Sequence, residues 1–81
     1  MNQPTMKLRM QGYQVRLDEN EGTVISYECQ VQMIPVDDLR MENASANIVI
    51  NEGNLEEMTI GQIRTAAFNR FKELVAAATV A

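Results

Sequence analysis

The side chains able to do chemistry in this 81-residue chain are few, and they fall into four groups. Asp37, Asp38 and Glu42 form one acidic cluster and Glu52, Glu56 and Glu57 a second. Paired acids of this kind can hold a hard cation or act as an acid and a base. Cys29 is the single thiol. Lys7, Arg9, Gln11, Gln14 and Arg16 form a row of cations and amides, the side-chain set that tracks phosphates or meets an acidic protein surface. There is no His, no Trp and only two Ser. Those counts exclude His-based catalysis, a Ser–His triad, a Cys-rich zinc site and a disulfide framework.

Each group also has a plainer explanation. Acid runs usually solvate loops or precede helices, and neither cluster is accompanied by His or by a Gly-rich phosphate loop. No catalytic residue, metal site or cofactor is therefore expected. Asp18, Asn20 and Gly22 superficially match the start of a calcium loop, but that motif wants its Gly one position later and a Glu where this chain has Cys29. Cys29 itself falls on the apolar alternation beside Val31, which predicts a buried, inert thiol.

The net charge of -4 is unevenly spread. Residues 1–16 carry +3, residues 17–57 carry -9 and residues 58–81 carry +2. An acidic average disfavours indiscriminate binding to nucleic acid. The polar start at residues 1–5 is expected to be flexible, and no apolar run approaches the roughly 18 residues of a membrane span. A cytoplasmic protein with no membrane contact is the expectation.

The elements that would position these residues read clearly. Asn20-Glu21-Gly22 predicts a three-residue hairpin loop with Gly in the left-handed conformation. Strands on either side, about 6–18 and 23–34, place Leu17 opposite Ile25, Val15 opposite Tyr27 and Tyr13 opposite Cys29 on one face. Met6, Leu8 and Met10 are out of phase with Tyr13, Val15 and Leu17, so one residue must be absorbed at Gln11-Gly12 as a β-bulge. With that bulge, Met10 meets Val31 and Leu8 meets Met33. Pro35 should end the second strand.

Residues 36–43 read as a connection in which Leu39 and Met41 anchor to the core. Ala44, Ala46, Ile48 and Ile50 alternate as a third strand, about 44–51, stopped by Asn51-Glu52-Gly53. Thr59 and Gln62 spell a capping box, and Met58 and Ile63 a hydrophobic staple, so a helix runs over about 60–78. Its apolar stripe comprises Ile60, Ile63, Ala67, Phe71, Leu74, Val75 and Ala78. The expected fold is a single α+β domain, β-β-β-α. Its three-stranded antiparallel sheet is a bulged hairpin plus a third strand, with one amphipathic C-terminal helix on one face.

The other face is left open to solvent, showing the basic row with Ser26, Glu28, Gln30 and Gln32. A chain this small gains stability from a partner, and its sheet has two edges to protect. The expected function is a non-enzymatic protein–protein interaction module, an adaptor or regulator of bacterial or phage type that acts by occupying a surface, as a homodimer. The residues expected to meet the partner are Lys7, Arg9, Gln11, Gln14, Arg16, Glu28, Gln30 and Gln32, with Asp37, Asp38 and Glu42. The alternatives are a nucleic-acid-binding regulator using the basic row and an accessory subunit of an enzyme. No small-molecule substrate is inferred.

Overall fold

A computed structural model describes residues 6–36 and 43–79. Expectations for residues 1–5 and for Asp37, Asp38, Leu39, Met41 and Glu42 lie outside the described residues. Three strands, β1 (Met6–Leu17), β2 (Val24–Pro35) and β3 (Ala44–Ile50), form an antiparallel sheet in the order β1-β2-β3. A short 3-10 turn at Leu55–Glu57 leads into the helix α1 (Ile60–Ala77). This is the β-β-β-α arrangement, with Pro35 as the last residue of its strand.

The hairpin register follows the hydrophobic alternation. Met10 pairs with Val31 and Leu8 with Met33, then Gly12 pairs with Gln30 and Tyr13 with Cys29, so the extra residue is Gln11. Gly12 takes up the bulge without a positive φ. On β2 the core face carries Tyr27, Cys29 and Val31, all buried, and β3 adds Ile48 and Ile50. Val31 faces Ala46, Cys29 faces Ile48 and Tyr27 faces Ile50 across the β2–β3 ladder.

At the tip the structure departs from the expected register. Leu17 pairs with Val24, and a second irregularity leaves Ile25 displaced and half exposed. The cause is the loop, which is one residue longer than its Gly signal implies. The Asp18 amide donates to the Thr23 carbonyl and the Gly22 amide to the Asp18 carbonyl, so Glu19 to Gly22 form the turn. Asp18 Oδ1 accepts from the amides of Asn20 and Glu21, both at 2.9 Å, and Gly22 reverses the chain at φ 71°. The turn chemistry of an Asx residue thus sets the loop length, and the extra residue reappears as a bulge in β2.

Helix α1 begins at the predicted cap. The Gln62 amide donates to Thr59 Oγ1 at 3.1 Å, and the Thr59 amide donates to Gln62 Oε1 at 2.9 Å. Ile63, Ala67 and Phe71 are buried against β2 and β3, with Met58, Ala66 and Phe68 packed around them. Ile60, Leu74 and Val75, expected in the buried stripe, are 58%, 43% and 52% exposed. The helix is narrower in its contact than in its apolar pattern, because it lies over β2 and β3 and does not straddle all three strands. The same placement leaves Tyr13, Val15 and Leu17 of β1 exposed, although they share the core face of the hairpin.

Candidate interaction surface on the open sheet face

Strand alternation builds the surface. With Tyr27, Cys29, Val31 and Met33 turned to the helix, Glu28, Gln30 and Gln32 must point the other way. Each lies in a cross-strand row. Arg9, Gln32 and Ser45 form one row, Gly12, Gln30 and Asn47 the next, and Gln14, Glu28 and Val49 the third. Lys7, Arg9, Gln11, Gln14 and Arg16 are exposed, and Glu28, Gln30 and Gln32 are half-buried between their neighbours.

The side chains hold one another in place. Gln32 Oε1 accepts from Arg9 Nη2 at 2.8 Å and from Gln11 Nε2 at 3.0 Å. Arg16 Nη1 lies 3.7 Å from Glu28 Oε1, an exposed pair of the kind that contributes little to stability but fixes orientation. The bulge is what lets Gln11 share the acceptor of Gln32 with Arg9. A shallow depression of about 210 Å³ lies between Gln11, Gln30, Ser45 and Asn47. The result is a flat field of amides and hydroxyls with cations along its β1 border.

The structure therefore brings eight of the expected partner-facing residues onto one face. Ser26 departs from expectation: it is buried at 4%, between the displaced Ile25 and the start of the β2–β3 ladder. Ser45, Asn47 and Val49 complete the surface, and their alternation with Ala46 and Ile48 carried that information, but only knowledge that β3 pairs with β2 converts it into a shared face. The acids of the second cluster are dispersed. Glu56 Oε1 accepts from the Val24 amide at 2.5 Å, and Glu57 accepts from Asn54 Nδ2 at 2.9 Å. These two carboxylates fasten the 51–57 loop, one to the start of β2 and one to itself.

Among the described residues, no group of three or more His, Cys, Asp or Glu is placed to hold a metal ion. Cys29 is fully buried, and that burial pushes its thiol above the usual range. No helix of the described residues is long and apolar enough to cross a membrane. On the helix side, a larger groove of about 540 Å³ lies along the free edge of β3, walled by α1 through Ala66, Asn69, Arg70, Glu73 and Leu74. Arg70 there donates to Glu73 on its own helix at 3.1 Å.

Comparison with known proteins finds no family model that matches the chain, and no curated protein or solved structure that matches it significantly.

Proposed function

We propose that this protein is a non-enzymatic interaction module that engages another protein through the open face of its sheet. The observation that carries the reading is the Arg9–Gln32–Gln11 network, in which one amide oxygen orients a cation and a second amide on a flat surface. Preoriented polar side chains lower the ordering cost of docking, and a planar face suits a partner of similar shape. Binding by occupancy requires no bond to be made or broken. The partner it fits carries carboxylates opposite Lys7 and Arg9, and hydrogen-bonding groups opposite the amide field.

The same face could serve a nucleic-acid-binding regulator, but Arg9 is tied to Gln32 and Arg16 to Glu28, and the basic residues sit at one border of a largely uncharged field. Phosphate tracking favours unpaired cations and stacking aromatics on the contact face.

The test is co-purification of the intact protein from native lysate, with and without nuclease, alongside a variant carrying Arg9→Ala and Gln32→Ala. The expected result is one stoichiometric protein partner that survives nuclease and is lost with the variant, whose circular dichroism matches the parent. Loss of every partner on nuclease treatment would overturn the reading in favour of nucleic acid.

A further inference from the structure

The two edges of the sheet are not equally defended. β1 carries Lys7, Arg9 and Arg16 and a bulge, which are common means of keeping another strand away. β3 has none of them. Its seven residues, Ala-Ser-Ala-Asn-Ile-Val-Ile, contain no charge, no Pro and no Gly, and its ladder to β2 runs from Ala44 to Ile50 without a register shift. Among the described residues, nothing pairs with its outer side.

The geometry points to a second copy of this chain as the occupant of that edge. This rests on the reading of the protein as an interaction module and names one of its partners. Two β3 strands related by a two-fold axis through Asn47 would pair antiparallel along all seven residues. In that register Ile48 meets Ala46 of the second copy and Ile50 meets Ala44, so each large residue of the core-side row faces a small one, and neither over-packing nor a void results. On the open side Asn47 meets Asn47, an amide pair able to donate and accept in both directions. A two-fold axis normal to the sheet keeps both helices on the same side, which gives a six-stranded sheet with two helices over its centre.

The groove beside β3 supports the same occupant. Leu74, 43% exposed, borders it on the helix, and Arg70 and Glu73 lie on the same wall one turn apart. Two such helices running antiparallel set each cation against the other copy's carboxylate, so the charges are self-complementary. The axis also doubles the open face into one continuous amide field, since the three cross-strand rows would extend through Ser45, Asn47 and Val49 into the second copy.

The experiment is size-exclusion chromatography with light scattering on the full chain, and its register is set by position 47. The wild type is expected to be a dimer. Asn47→Lys and Asn47→Asp, which place like charges opposite each other across the axis, are each expected to be monomeric with unchanged circular dichroism. Mixing the two variants is expected to restore a dimer that contains one of each. A wild type that remains monomeric at its highest soluble concentration would overturn the inference, as would a dimer indifferent to both substitutions. A variant that lost its fold would be replaced by Asn47→Cys, which this register expects to form an intermolecular disulfide, whereas Val49→Cys, facing Ser45, would not. Cross-linking of Val49→Cys in preference to Asn47→Cys would overturn the register. The dimer is read from oligomeric state and partner capture from the Arg9 and Gln32 variant, so this inference and the proposed function fail separately.

Discussion

The hydroxyl of Tyr27 donates a hydrogen bond to the main-chain carbonyl of Leu55, tying the middle strand to the 3-10 turn that precedes the helix. Tyr27 is at once a core residue and a clasp. Its ring is buried at 6%, meets Tyr13 edge to face with centroids 6.2 Å apart, and packs beside Ile50 across the ladder. Because Leu55 leads into the Thr59 cap, this bond helps to set where α1 starts over the sheet.

Removing only the hydroxyl isolates the clasp. Tyr27→Phe keeps the buried ring and is expected to lower the unfolding free energy by about 1 kcal/mol, the usual net worth of such a bond. Urea unfolding checks it: the midpoint should fall while the slope stays unchanged, because the surface exposed on unfolding is the same. An unchanged midpoint would mean that the turn is held by the Glu56 contact to Val24 and by packing of Leu55 alone.

The two hairpin glycines should respond in opposite ways. Gly22 has φ 71° and open space around its Cα, so Gly22→Ala suffers backbone strain without a clash and should cost about 1 kcal/mol, with Gly22→Asn milder. Gly12 has no positive φ, and an added Cβ would rest 3.6 Å from Gln30 Oε1, an ordinary contact. Gly12→Ala should therefore be neutral or stabilising by up to about 1 kcal/mol, through lowered entropy of the unfolded chain. Paired thermal melts of the two alanine variants distinguish these signs.

Asp18 gives the turn a pH dependence. The amides of Glu21 and Asn20, in that order of effect, hold its carboxyl below the ordinary aspartate value. A depressed folded value means that the ionised form supports the fold. Its contribution is fully present above the unfolded value of about 3.9 and is lost as pH falls through the lower, folded one. Carbon-detected NMR titration should place the Asp18 midpoint below the ordinary aspartate value. Asp18→Asn should flatten the decline of stability over the same acid range. An Asp18 midpoint at or above the ordinary aspartate value would count against the turn hydrogen bonds.

Local chemistry was the most legible part of this fold. The phase slip between Met10 and Tyr13 located the bulge, and Thr59 with Gln62 located the helix start, since both signals are carried by residues close in sequence. The eight surface positions followed from alternation for the same reason. What could not be read was coverage. Periodicity says which side of Leu74, Val75 or Val15 is apolar, but not how far a neighbouring element reaches across it, and α1 lies mainly over β2 and β3. Gly22 advertises the left-handed position and so predicts a three-residue loop, whereas the residue that sets the longer span, Asp18, acts through its side chain.

The lone thiol at the centre of the sheet has a practical consequence. Cys29 is turned to the helix side of the central strand, in one core with Ile63, Ala67 and Phe71 and with no exposed surface, so reagents reach it only when that core opens. Its labelling rate under native conditions is thus a clock for opening of the core between sheet and helix, read from a single atom. A cysteine introduced at the surface, Asn47→Cys included, reacts against a silent background without first replacing the native one.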